Sequence, residues 1–337
     1  MQKAVEAQNR LIEQDRIILI SHDTAEVIQE LRSLQLLNSP EFFECTNMEC
    51  LNFEGNMNFI SDQSKADGGR FRCHVCLQTK TLRKFSIFEG SKLPLVTLYR
   101  LIFHCFANGM SQAQAELQTG ISHVTVRQIY KFCKKSISVD IQREYRENKL
   151  CELENGNYTA QNPPTCEADE TLISHLNQIE NKSQSQVWLL GARQRGTDQV
   201  VVEVIGNASM KTIVRINQFF TLYVATNRNI RTLVYTDSAQ CYNGLRNIGF
   251  THVSINKKRE GFTDGPRTTN RIESLWSELK SIGRFDSGLN FNNLDDVQIA
   301  VDEVVFRWKS KRDDLYQLLS EILETNYYLH NLSINNQ

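Results

Sequence analysis

Arg231-Thr232-Leu233-Val234-Tyr235-Thr236-Asp237-Ser238-Ala239-Gln240-Cys241-Tyr242 reads as a strand that ends in an aspartate and turns into a helix. Leu233, Val234 and Tyr235 form the short apolar run of a buried strand, and Asp237 stands at its carboxyl end. Asp237 is also the residue type that caps a following helix, here expected over Gln240 to Asn247. Upstream, residues 165 to 175 read as a strand with Asp169-Glu170 inside it. Val187 to Arg193 and Val200 to Ile205 give two more strands, and Ser209 to Val224 a helix. Downstream, Thr251 to Ile255 is a short strand. A polar loop with Gly261, Gly265 and Pro266 leads to a helix at Thr268–Lys280, and helices near 294 to 308 and 313 to 328 follow.

Three strands, then helix, strand, helix, strand, helix describe an α/β domain whose mixed sheet is covered by helices, the element order of an RNase H-like domain. In the 268–280 helix, Ile272, Leu275, Trp276 and Leu279 recur at three- and four-residue intervals as one apolar stripe, with Thr269 or Asn270 as N-cap. Glu273 lies beside that stripe. If the first and fourth strands are neighbours, Asp169, Asp237 and Glu273 converge at the carboxyl ends of the strands, where α/β sheets place ligands. Three carboxylates suit a pair of divalent ions that cleave a phosphodiester, and hard oxygen donors suit Mg2+ or Mn2+. Glu170 alternates to the opposite face of its strand and ranks behind Asp169 for this role.

The rest of the chain adds two modules. Cys45 and Cys50, then Cys73 and Cys76 after 22 intervening residues, describe a zinc ribbon in which four cysteines hold a structural Zn2+. His74 is an alternative fourth ligand. Strands are expected at Met57 to Ile60 and Arg70 to Arg72, and Lys65, Arg70, Arg72, Lys80, Arg83 and Lys84 make the region locally basic. Leu93 to Phe106 is an apolar helix. Ser111 caps a short helix to Leu117, Thr119-Gly120-Ile121 turns, and Ser122 caps a second helix through Cys133. Helix, glycine turn, helix is a helix-turn-helix signature, with His123, Thr125, Arg127 and Lys131 as residues that meet DNA. From Lys92 to Lys149 basic residues exceed acidic ones by 5, which suits a phosphate-facing patch.

The resulting division is an N-terminal helical segment (1–40), zinc ribbon (41–90), helix-turn-helix region (91–154) and RNase H-like domain with C-terminal helices (155–337). The last boundary lies in the linker Asn155 to Pro164. A net charge of −1 over 337 residues gives no global field for a polyanion, so any nucleic-acid contact is local. No apolar run approaches the roughly 18 residues of a membrane span, and the polar N-terminus lacks a signal-peptide core. Nine cysteines in an intracellular setting favour metal ligands or free thiols over disulfides.

Ala168-Asp169-Glu170-Thr171, then Tyr235-Thr236-Asp237-Ser238 with Tyr242, then Asn270-Arg271-Ile272-Glu273-Ser274-Leu275-Trp276 through Lys280 resemble the catalytic blocks of Merlin-type DDE transposases and their bacterial insertion-sequence relatives. Asp237 and Glu273 have 35 residues between them, a usual DDE spacing. The ribbon and helix-turn-helix also stand where that family has them. Lys257 and Thr268 stand about where the family tends to carry histidines.

The resemblance implies cut-and-paste transposition: hydrolysis at transposon ends, then attack of the freed 3′-hydroxyl on target DNA. It implies Asp169, Asp237 and Glu273 as metal-binding catalytic carboxylates, with supporting roles for Asn270, Trp276 and Lys280. Trp276 also suits the core, and Lys280 either a phosphate or solvent. The implied partners are the terminal inverted repeats, target DNA and a second copy of the chain. The implied compartment is the nucleus in a eukaryote and the chromosome's cytoplasm otherwise. Two other readings share these residues: a DNA-binding protein retired from mobility, and an RNase H-like nuclease.

Overall fold

The computed structural model describes residues 16–20, 22–62, 64–152, 158–175, 185–255, 269–280, 293–310 and 315–335. In chain order the principal elements are α1 (Thr24–Ser33), β1 (Asn58–Ser61), β2 (Gly69–Arg72), β3 (Thr79–Thr81), α2 (Leu95–Tyr99), α3 (Gln112–Thr119) and α4 (His123–Glu147). There follow β4 (Thr165–His175), β5 (Ser185–Gln194), β6 (Val200–Gly206), α5 (Ile213–Tyr223), β7 (Leu233–Asp237), β8 (Thr251–Ile255), α6 (Asn270–Leu279), α7 (Leu294–Lys309) and α8 (Leu315–Asn335). The chain forms two compact units, Met1–Ser136 with Arg312–Gln337, and Ile137–Lys311. The division falls inside α4, so the span 91–154 contributes to both units and the last helix clusters with the N-terminal unit. The expected linker at 155–164 lies within the second unit, and residues 155–157 of it are outside the described residues.

In the first unit, β1, β2 and β3 form an antiparallel sheet, pinned by Phe43 stacked on Phe71 at 3.8 Å between centroids. Arg83, expected among surface cations, is instead buried. Its Nε and a terminal nitrogen each lie 2.5 Å from the Asp67 carboxylate, and Asp67 also accepts the Leu95 N–H at 3.2 Å. A fork of this kind satisfies both charges at once, so it ties the ribbon to the start of α2 without an orphaned ion.

α2 continues into a wider π-helical stretch, Arg100–Phe106. Ser111 caps α3 through a capping box with Gln114, and Gly120 ends that helix at φ +67°, a conformation only glycine adopts without strain. Phe106, Ala115, Val126 and Cys133 are buried, and Tyr130 packs edge-on against Phe106 at 5.2 Å. The Tyr130 hydroxyl donates to the Met110 carbonyl at 3.0 Å.

In the second unit the sheet order is β6-β5-β4-β7-β8. β6, β5 and β4 pair antiparallel, whereas β4–β7 and β7–β8 are parallel. The first and fourth strands of the domain are therefore neighbours, as the element order predicts. One face carries Leu189, Val202 and Val204 against Ile272, Leu275, Trp276 and Leu279 of α6 and Val297, Val301 and Val305 of α7. Glu203 alternates to the other face, where it meets Arg215 of α5 at 2.8 Å. The second half of α4 joins this unit through Asp302. That carboxylate is fully buried and accepts from Ser138 Oγ at 2.6 Å, Gln142 Nε2 at 3.2 Å and Gln298 Nε2 at 2.8 Å.

Candidate functional site

The strand pairing explains how the two aspartates are brought together. Glu167 of β4 is registered with Tyr235 of β7 in parallel, and Asp169 and Asp237 each lie two residues further along. They therefore stand level, on the same face of adjacent strands, Asp237 at the end of β7 and Asp169 midway along β4. Asp237 Oδ1 accepts the Ala239 N–H at 2.9 Å, so the aspartate also fixes the turn that follows its strand.

α6 supplies the third carboxylate. Its stripe is buried as expected: Ile272, Leu275, Trp276 and Leu279 are all at most 3% exposed. The helix can lie close because Gly191 of β5, registered with Asp169, has no side chain; a Cβ there would come within 2.5 Å of Trp276 Cη2. From this position the Trp276 Nε1–H donates to Asp169 Oδ2 at 3.0 Å. Glu273 sits nearly one turn earlier, half-buried, and its Oε1 accepts from Thr269 Oγ1 at 2.9 Å. Thr269 is itself buried at the helix start. Asn270 opens α6, and Lys280 is exposed just after its end. Lys257 and Thr268 lie outside the described residues.

β4 carries two further acids, each with a cation. Glu167 is paired with Arg195 Nε at 3.2 Å, and that guanidinium lies 4.3 Å from the Tyr235 ring centroid. Glu170, on the face opposite Asp169, forms an ion pair with Lys211 and accepts a short hydrogen bond from the Tyr242 hydroxyl. Burial, then the charge of Glu170 and its hydrogen bond, push the Tyr242 phenol well above its ordinary range, so Tyr242 stays a donor. Burial pushes the Cys241 thiol up to about 11, with the negative charge of Glu170 adding to it. Lys211 and Gly191 carried no signal in the sequence. Their roles depend on partners far along the chain.

The four cysteines meet. Cys45 Sγ lies 3.5 Å from Cys76 Sγ, and Cys50 Sγ lies 3.7 Å from Cys73 Sγ. All four sulfurs fall within 4.8 Å of one another. Tetrahedral sulfurs about 2.3 Å from one Zn2+ stand about 3.8 Å apart, so the set fits zinc. His74 is not in the group. Burial opposes ionisation of Cys73, but the Cys76 and Val75 N–H groups and the neighbouring thiols outweigh it and bring that thiol down to about 6. Among the described residues this is the one set of three or more His, Cys, Asp or Glu groups gathered so closely. Asp169, Asp237 and Glu273 are not gathered within that distance.

On α4, His123, Arg127 and Lys131 are exposed, whereas Thr125 is half-buried with its hydroxyl 3.1 Å from that of Ser122. Thr125 thus serves the turn. No helix among the described residues is long and apolar enough to cross a membrane.

No curated protein matches the chain. Residues 156–284, which carry Asp169, Asp237 and Glu273 and run from before β4 past the end of α6, match the family model described as an ISXO2-like transposase domain, so this part of the chain is similar to an insertion-sequence-type transposase domain.

Proposed function

We propose that the protein is a DNA transposase whose second unit is an RNase H-like DDE domain, with Asp169, Asp237 and Glu273 as the carboxylates that bind Mg2+ or Mn2+. The observation that carries this reading is the pairing of β4 with β7, which sets Asp169 and Asp237 level on one face beneath the helix that bears Glu273. The transposase-domain match over the same residues supports it. The donor set is hard oxygen, as these ions require. A bound ion pair supplies activation of a water or DNA 3′-hydroxyl and stabilisation of the leaving oxygen.

The chain's own residues do the positioning. The Trp276 indole orients Asp169 without neutralising it, and Thr269 fixes Glu273. Tyr242 and Lys211 hold Glu170, so the turn after Asp237 is tied to β4. The zinc-holding ribbon and the α3–α4 pair form the DNA-binding part, with His123, Arg127 and Lys131 exposed for it and Lys280 exposed beside the carboxylates' helix. The Merlin-type affiliation and strand transfer to a target rest on the quoted sequence blocks.

The test is nicking of a supercoiled plasmid that carries the DNA flanking the gene, with Mg2+ or Mn2+. Wild type is expected to nick it and Asp237→Ala to lose at least about a hundredfold, the scale on which removal of one transition-state stabilising group is felt. Equal activity of the two proteins would remove the enzyme from this reading.

A further inference from the structure

We infer that the first two turns of α4 read base edges in the major groove of duplex DNA, with Val124 set against the C5-methyl group of a thymine. This inference rests on the DNA-binding reading of the first unit. Three observations lead to it.

α3 ends at Thr119 and α4 begins at His123, so Gly120, Ile121 and Ser122 alone join them. A three-residue glycine turn between two packed helices is the connection of a helix-turn-helix, whose second helix enters the major groove by its N-terminal residues. Next, Val126, Tyr130 and Cys133 are buried, which turns Val124, Gln128, Lys131 and Lys135 outward at intervals of four, three and four residues. All four are exposed, and Arg127 is exposed beside them. From Gly120 to Val139 the chain has no acidic residue, so this face complements a polyanion.

The third observation is Val124 itself. It is 64% exposed, more than Val139 (49%) and Phe132 (40%) further along the helix, and its neighbours on the stripe are Gln128, Lys131 and Lys135. Packing does not account for it there, and phosphate contact has no use for an isopropyl group. Base-edge readout does: the thymine methyl is the apolar feature of the major groove. Gln128 lies one turn on, about 6 Å along the axis, close to two base-pair steps of about 3.4 Å. It is placed to read adenine N6 and N7, and Arg127 to read guanine O6 and N7. Lys131 and Lys135, further from the helix start, then meet phosphates.

The experiment uses the full-length protein at about 0.15 M salt. Duplexes that bind best are selected from a randomised library, and each thymine of the selected duplex is replaced singly by deoxyuridine, which lacks only the methyl group. At one thymine the replacement should weaken wild-type binding about fourfold, the value of one buried methyl group. Val124→Ala should bind the thymine and uracil forms of that duplex alike. Because Val124 is exposed, this variant should keep the wild-type fold, with circular dichroism as the check. If every thymine can be replaced without loss, or if Val124→Ala keeps the discrimination, the inference is overturned while DNA binding stands. If no duplex is preferred over random DNA, sequence readout by α4 falls with it.

Discussion

Replacing Gly191 by alanine tests how α6 is seated on the sheet. A Cβ at that position would stand 2.5 Å from Trp276 Cη2, 3.0 Å from Cζ2 and 3.1 Å from Ile272 Cδ1. Carbon atoms rest at about 3.5 to 4.0 Å, so the indole must retreat by roughly 1 Å. It has little room, since Trp276 is 3% exposed and packed in the same cluster as Ile272, Leu275 and Leu279. The same retreat stretches the 3.0 Å bond from Trp276 Nε1 to Asp169 beyond hydrogen-bond range. Overpacking costs about 1–3 kcal/mol, and a hydrogen bond to a charged group contributes about 1.5–3 kcal/mol. Against this, alanine recovers about 0.5–1 kcal/mol of backbone entropy in a strand. The net expectation is a loss of about 1.5–5.5 kcal/mol.

Urea unfolding followed by circular dichroism measures it, and a double-mutant cycle with Trp276→Phe isolates the cause. Phenylalanine lacks the ring edge that the new methyl strikes and has no N–H to lose. Gly191→Ala should therefore cost less than about 0.5 kcal/mol in that background. Nicking activity should fall in Gly191→Ala and in Trp276→Phe alike, because each releases Asp169. A neutral Gly191→Ala, or an equal cost in both backgrounds, would refute this packing of α6.

Two further outcomes are expected. Purified protein should contain one zinc per chain, released to a chromogenic chelator on thiol modification. Cys73→Ser should lose it together with the ordered ribbon, since structural zinc contributes roughly 10 kcal/mol or more to folding such modules. Asp302 gives a pH dependence. Burial raises its carboxyl to about 7, against the hydrogen bonds from Ser138, Gln298 and Gln142. Between about pH 4 and 7 the unfolded chain has shed this proton while the folded chain keeps it. Stability from this group is thus full below about pH 4, falls by on the order of 4 kcal/mol through the window, and is flat above it. Unfolding curves of wild type and Asp302→Asn at pH 4.5 and pH 8 should differ by that change, and parallel profiles would contradict it.

Most of the sheet is legible in the chain because its strands are apolar runs broken by turn residues. The ranges 165–175 and 251–255 match β4 and β8 as read. The expected helix at Gln240 to Asn247 is instead two 3-10 turns, Gln240–Tyr242 and Leu245–Ile248, around Gly244. A Cβ on Gly244 would meet Ile213 Cγ2 at 2.5 Å and Asn217 at 2.7 Å, so close approach to α5 fixes this backbone. Helix α4 runs on past Cys133 to Glu147, with Ile137, Ile141 and Tyr145 continuing the buried face. That spacing was present in the sequence and marks the helix as one element. The partners of the acids are another matter: Trp276 is 107 residues from Asp169, and Tyr242 is 72 from Glu170. No local pattern announces such pairs, because only the folded sheet makes them neighbours.

The acids of β4 also differ in the contacts that hold them. β4 bears Glu167, Asp169 and Glu170 within four consecutive positions, and a carboxylate in a central strand is costly unless something meets its charge. Glu167 meets Arg195 and Glu170 meets Lys211, so each is answered by a positive charge that a metal ion would have to displace. Asp169 receives the indole N–H of Trp276 on Oδ2. A neutral donor fixes the direction of a carboxylate and leaves its negative charge intact, and a carboxylate has lone pairs beyond the one so used. Alternation along the strand alone ranks Asp169 above Glu170. The contacts on Glu170 agree with that order for a separate reason: Glu170 is held on the opposite face by Lys211 and Tyr242, whereas the Trp276 indole orients Asp169 on the face that meets α6.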